Sequence, residues 1–404
     1  MTRTATTRTA TTRTALRAAR LFDGTTCIDD PLVLLEGGRV TEVRQGRGAI
    51  VPDDAALVDL PGATLLPGLV DTHVHLAFDA GPDPVAALAG RDGTALAAAM
   101  ADAAAAQLAA GVTTVRDLGD RGYATLALRE SAPGPLPTIV AAGPPITSPG
   151  GHCHFLGGEA SGVAGMRAAV REHAERGVDV IKVMASGGMM TAGTDIAAAQ
   201  FSAGALRVAV EEAHRHGLPI TAHAHALSAV RDAIAARVDG IEHCTCVEGE
   251  DVVLPQDVLD ALVARRIAVG STLGIRPVPG AGPPPALRRL LPGVLAAHAA
   301  LVRAGAVVVA GTDAGIAPPK PHGVLPHGLA ELVGLGMTPL QALRAGTATA
   351  AQVCGVADRK GRVAPGYDAD LLAVDGDPLA DIGALLRPVA VLVAGRTVLR
   401  TVAS

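Results

Sequence analysis

The chain has 404 residues, 49% of them hydrophobic, enough to bury one large core and a smaller one. A formal net charge of −5, with no basic block and no aromatics interleaved with basic residues, argues against nucleic-acid binding, and no uninterrupted apolar run is long enough to span a bilayer. Trp is absent and aromatics make up 1%, so the core must be aliphatic. Cys27, Cys153, Cys244, Cys246 and Cys354 are odd in number in a long chain, which excludes a disulfide scaffold. Cys244 and Cys246 directly follow His243, yet the neighbouring candidate ligands are oxygen and nitrogen donors. We therefore read the cysteines as small buried side chains.

The N-terminal segment repeats Thr-Arg-Thr-Ala-Thr without an acidic residue or an apolar h-region, so we read residues 1–15 as a disordered tail and not a secretory signal. Short strands separated by turns follow, at Ala19–Phe22, Leu32–Val43 and Ala56–Leu60. The far end repeats the pattern at Asp370–Asp375, Pro388–Val393 and Arg396–Arg400. Residues 16–66 and 360–404 are thus expected to form one small β-sandwich domain built from both termini.

Between them, residues 67–359 alternate apolar strands with helical runs, the pattern of βα units and a parallel sheet. The expected strands are Leu69–Val74, Val112–Asp117, Thr138–Ala142, Val178–Met184, Pro219–His223, Gly240–His243, Ile267–Ser271 and Ala306–Thr312. Ala95–Ala110 and Ala203–His216 are the clearest helices between them. The fold class is α/β, a (β/α)8 TIM-like barrel, in which catalytic groups stand at the C-terminal ends of strands.

That rule selects the polar residues that matter. The first strand ends in His73 and His75, which share one face because strand side chains alternate. The fourth carries Lys182 in an apolar run, the fifth ends in His223 and His225, the sixth in His243 and the eighth in Asp313. A buried lysine has a depressed pKa, and its neutral amine can add CO2 to give an anionic carbamate able to bridge two cations. Loops at the same face add His154, Arg276, His322 and His327 as possible substrate contacts. Glu242 points away from His243 and is read as structural. His214, His216 and His298 are read as helix-surface residues.

These residues resemble the amidohydrolase superfamily. The resemblance rests on Leu66-Pro-Gly-Leu-Val-Asp-Thr-His-Val-His75, Lys182, His223, His243, Gly311-Thr-Asp-Ala-Gly315 and the return segment Gly366–Asp375. It implies two divalent metal ions, most often Zn2+. His73 and His75 would hold one with Asp313, His223 and His243 the other, and carboxylated Lys182 would bridge. Within the superfamily the chain is most similar to the imidazolonepropionase-related branch of Xaa-Pro dipeptidases and carboxypeptidases, through Gly150-Gly-His-Cys-His154, Lys182–Gly188, Phe201-Ser, Ala222–His225 and Gly336–Leu343. In that branch the position of His152 contacts the substrate carboxylate and that of His225 polarises the scissile carbonyl.

The resemblance therefore implies a cytoplasmic homo-oligomer acting on a small molecule, with no nucleic-acid or membrane partner. The expected reaction cleaves the amide bond of a dipeptide or N-acyl amino acid next to a free carboxylate. Metal-activated hydroxide attacks, and Asp313 shuttles the proton. The alternative on the same binuclear site is hydrolysis of a lactone, cyclic imide or imidazolone-type ring. Met189 and Met190 depart from the shorter aliphatic residue expected of the branch.

Overall fold

The structure, a computed structural model, describes residues 13–131, 134–279 and 285–401. Its strands in chain order begin with β1 (Arg13–Phe22), β2 (Cys27–Asp29), β3 (Pro31–Glu36), β4 (Arg39–Gln45) and β5 (Ala55–Pro67). Then come β6 (Leu69–Val74), β7 (Val112–Asp117), β8 (Thr138–Ala141), β9 (Ile181–Met184), β10 (Ile220–Ala226), β11 (Gly240–Glu248), β12 (Asp251–Val252), β13 (Ala268–Gly270) and β14 (Val308–Val309). The chain closes with β15 (Leu371–Asp375), β16 (Pro388–Val393) and β17 (Arg396–Arg400).

The fold is mixed α/β, with a sheet-rich region built from both ends of the chain. Residues 1–12 of the expected tail lie outside the described residues. Arg13, Thr14 and Ala15, which the sequence reading assigns to that tail, instead begin β1, where they pair with Ala55, Ala56 and Leu57 of β5. The terminal strands form one eight-stranded sheet in the order β17-β16-β15-β5-β1-β3-β4, with β2 on β1. The sequence reading expects a small β-sandwich here, and the described strands of that region are hydrogen-bonded into one sheet. One continuous sheet forms because β5 is long enough to pair along both edges, with β1 on one side and β15 on the other. The period-two alternation of β15 divides its side chains between two cores. Leu371 and Ala373 pack with Leu16, Val33 and Leu65 inside the sheet region, whereas Leu372 and Val374 join the main core.

The middle of the chain supplies the parallel strands. β6, β7 and β8 form one sheet, and β9, β10, β11, β13 and β14 lie in a second. Helices intervene, among them Gly93–Ala109, Gly162–Arg176, Ala203–Arg215 and Leu227–Ala236. Side-chain caps start two of these: Asp92 accepts from the Ala95 amide and Ser202 from the Ala205 amide. Backbone hydrogen bonds join the two sheets at both seams. The amides of Thr72 and His75 donate to the carbonyls of Ala310 and Ala314, and those of Ile146 and Met184 to Lys182 and Ile146. Asp71 pins the first seam, accepting from the Thr312 amide and hydroxyl and from the His73 amide. All the strands therefore point their C-terminal ends at one face.

Leu65 is fully buried in the sheet-region core, so truncating it leaves a cavity that the β5 backbone cannot close. Leu65→Ala should lower the unfolding free energy by about 2–5 kcal/mol in denaturant titration. A loss below about 0.5 kcal/mol, the range of ordinary surface changes, would mean that this core is not sealed.

Candidate metal centre

β6 ends in an alternating Asp71-Thr-His-Val-His75, which delivers two imidazoles to one face. The Nε2 atoms of His73 and His75 lie 3.3 Å apart. Asp313 Oδ1 stands 3.4 Å from the first and 3.2 Å from the second, and Lys182 Nζ lies 3.4 Å from His73 Nε2. Beside them, His223, His225 and His243 stack edge-on and face-on, with ring centroids 4.4–4.7 Å apart. His73 and His243 connect the two groups at 5.3 Å. Each trio, His73–His75–Asp313 and His223–His225–His243, has its ligand atoms within 4.8 Å of one another.

The outward nitrogens are engaged by the surrounding shell, and the inward ones of His73 and His75 face one another, Lys182 and Asp313. His73 Nδ1 lies 3.0 Å from Glu242 Oε2, His75 Nδ1 3.1 Å from the Gly119 carbonyl, His223 Nε2 3.2 Å from the Gly187 carbonyl and His243 Nδ1 3.0 Å from Thr272 Oγ1. A carboxylate or carbonyl partner makes that nitrogen a donor, so the opposite nitrogen keeps its lone pair for a ligand. This donor set of neutral nitrogens and a carboxylate fits divalent transition metals.

Electrostatics agree for the rings other than His75, which burial pushes down but the Asp313 carboxylate holds above the ordinary value. Burial pushes His73 and His152 down to about 4 and His225 to about 3, and holds His223 and His243 well below the ordinary value. At neutral pH these rings are uncharged, the state a metal needs. Burial also lowers Lys182 to about 8, which leaves a share of neutral amine near neutral pH. Asp313 resists the upward push of burial because the His73 and His75 rings beside it hold its carboxyl well below the usual range.

Glu242 is central, although the sequence reading set it aside as structural. It does turn away from His243, but the turn brings Oε2 to His73. Its Oε1 accepts from Arg116 Nη2 at 2.8 Å and from Thr221 Oγ1 at 2.7 Å. Burial alone would raise its pKa, but Arg116 and His73 hold it well below the carboxylate range. The available signal was a charged residue inside each of two apolar strand runs, since buried charges require partners. Thr272 and Lys320 were also missed, with no comparable signal. Lys320 Nζ donates to the carbonyls of Thr272 and Thr312, each at 2.8 Å.

The remaining candidates divide. His152 joins the cluster, its ring 4.8 Å from that of His223 and its Nδ1 buried without a partner. His154 is exposed, with its ring against Phe155 and not against the ligand rings. Arg276 is exposed, anchored by its amide to the Pro319 carbonyl, and His327 is half-buried on the helix Leu325–Gly334. His322 Nε2 donates to the Phe78 carbonyl. His298 is 1% exposed, not on a helix surface, because its helix presses it into the core with Nδ1 against the Val294 carbonyl. Cys244 and Cys246 are buried and free, outside both ligand trios.

Comparison with known proteins agrees with this geometry. A family model described as the amidohydrolase family matches residues 64–398. Ochratoxinase from Aspergillus niger is 31% identical over 361 residues, covering 81% of this chain and 73% of its own. Among solved structures, a Xaa-Pro dipeptidase with methionine bound in its active site superposes with a TM-score of 0.83 at 25% identity, covering 95% of this chain and 99% of its own. A structure described as a prolidase from Bifidobacterium longum gives 0.78 at 28% identity, covering 96% and 95%.

Glu242→Gln removes the charge that fixes His73 Nδ1 while keeping the side-chain shape. Losing such an orienting partner weakens metal retention by about 10–100-fold. Chelator competition on the folded variant measures the effect, and wild-type retention would show that Glu242 does not orient the ligand.

Proposed function

The chain belongs to the amidohydrolase family, and on that premise we propose that it is a metal-dependent hydrolase cleaving a peptide or N-acyl amino acid amide next to a free carboxylate. The observation that carries the reading is the convergence of the two ligand trios with Lys182 at one face of the parallel strands. We read those eight strands and their two seams as a (β/α)8 barrel spanning residues 67–359. Residues 16–66 and 360–404 make the small β domain.

His73, His75 and Asp313 would hold one divalent ion, and His223 and His243 a second, with a carboxylated Lys182 between them. The nitrogen and oxygen donors suit Zn2+. Ions bound there supply an activated water and a Lewis acid for the scissile carbonyl. The rest is the work of this chain's own residues. Asp313, held ionised, accepts the proton of the attacking water and returns it to the leaving amine. His225 accepts at Nδ1 from the Thr245 hydroxyl, 2.9 Å away, which leaves its Nε2–H to donate to the carbonyl oxygen that gains charge.

His152 offers its unpartnered Nδ1 to the substrate carboxylate. Its ring is neutral, so the contact is an N–H hydrogen bond to an anion, worth about 1.5–3 kcal/mol. The similarity to an ochratoxinase and to a Xaa-Pro dipeptidase supports an amide substrate. The methionine bound in the active site of the latter supports an amino-acid moiety at the site.

The test is metal analysis of zinc-loaded protein with a panel of N-acyl amino acids, dipeptides and lactones, each acid paired with its amide. We expect about two ions per chain and a preference for acids over their amides. Equal rates on acid and amide would remove the carboxylate from the reading, and turnover confined to lactones would remove the amide. Asp313→Asn should lower turnover by about 10²-fold or more with the fold intact. A variant within about tenfold of wild type would place the proton transfer on another residue.

A further inference from the structure

We infer that Gln200 is the positioning residue that aims His152 into the site. The inference rests on the proposed role of His152 and adds to it the group that fixes its direction. Among the described residues, His152 Nδ1 is buried without a hydrogen-bond partner. The direction of the ring is set by its backbone and by what the ring rests on.

The His152 amide itself is held by one carboxamide, while the flanking Gly150 and Cys153 amides donate to Glu159 and to Thr191 Oγ1. Gln200 Oε1 accepts from the His152 amide at 2.6 Å. Its Nε2 donates to the Met184 carbonyl at 2.8 Å and to Thr147 Oγ1 at 3.2 Å. The Gln200 amide donates to the Ala185 carbonyl at 2.7 Å. One side chain thus ties the loop carrying His152 to the end of β9, the strand that carries Lys182. Only a neutral group with an acceptor at one corner and two donors at the other satisfies all three partners.

Two glycines make room for this arrangement. A Cβ on Gly151 would lie 2.7 Å from Gln200 Oε1 and 2.5 Å from Thr147 Oγ1. A Cβ on Gly188 would lie 2.4 Å from His152 Nε2, so the ring rests directly on that backbone. Gly188 belongs to the segment that Gln200 closes, where Ser186 bridges Ala199 and the Gly187 amide donates to the Ala198 carbonyl. The Gly187 carbonyl in turn accepts from His223. The segment that orients a ligand histidine is therefore also the platform for the substrate-reading one.

The experiment compares wild type with Gln200→Leu, which keeps reach but no hydrogen bond, and Gln200→Glu, which keeps the acceptor for the His152 amide. The probes are N-acetyl-L-leucine and N-acetyl-L-leucinamide on zinc-loaded protein, together with thiol labelling by a chromogenic disulfide. Cys153, next to His152, is buried, whereas Cys27 is exposed. In Gln200→Leu we expect KM for the acid to rise about tenfold or more, while kcat, metal content and the rate on the amide hold. Cys153 should gain reactivity beside Cys27, and Gln200→Glu should recover part of the KM.

An unchanged acid-to-amide ratio with Cys153 still protected overturns the inference. Equal loss on both probes together with metal loss overturns it too, as a merely structural role. The thiol measurement needs no substrate. If wild type treats acid and amide alike while Gln200→Leu still exposes Cys153, the carboxylate reading fails and the clamp on the loop stands.

Discussion

The site depends on one buried ionic chain, Arg116–Glu242–His73. A carboxylate among the parallel strands would be forced neutral if it were alone. Arg116 and Thr221 satisfy one oxygen and His73 the other, so the charge persists and fixes the imidazole. His73 then presents Nε2 to His75, Lys182 and Asp313 together. Removing one member of such a buried set leaves an unpaired charge, at about 3–5 kcal/mol. Arg116 also donates Nε to the Thr72 carbonyl. The same guanidinium therefore holds both the backbone and the partner of the first ligand strand.

A second constraint is backbone strain at the strand ends. His243, Thr272 and Asp313 have φ of 67°, 47° and 60°, a left-handed region that side chains with a Cβ rarely occupy. Each such residue costs about 1–3 kcal/mol and persists only where its surroundings over-determine it. Here Lys320 supplies part of that restraint, bonding the carbonyl of Thr272 and that of Thr312, which precedes Asp313. The sharp turns redirect the chain within β11 at His243, and beyond β13 and β14 at Thr272 and Asp313. His243 and Asp313 then converge on the centre, and Thr272 meets His243 from behind.

How much of this was legible follows from where the information lies. His73 and His75 could be read because strand periodicity is local. Lys182, His223, His243 and Asp313 could be read because each ends or interrupts an apolar run. Glu242 stood in plain view as a charge in such a run, but its partners come from other strands, and periodicity within one strand does not name them. His154, Arg276 and His327 follow strand ends in sequence, but a loop position alone does not fix reach. His298 looked solvated because the polarity of a helix face says nothing about what packs on it. The pairing order of the terminal sheet was not legible, since hydrophobic alternation in β5 is the same whether one edge or two are paired.

The two-edged pairing of β5 also governs the order in which the molecule can assemble. Leu66 pairs with Leu372, and Leu65 with Ala373, across nearly the whole chain. During synthesis β1 to β5 emerge early, but the edge of β5 from Ala63 to Pro67 must wait for the last strands before it is covered. Such distant pairing closes slowly, and an apolar open edge is a template for pairing with other chains. The C-terminal strands thus act as the latch of biosynthesis. Until they arrive, the segment leading straight into His73 and His75 ends a sheet that is only half built, and a nascent chain stalled there would be prone to self-association.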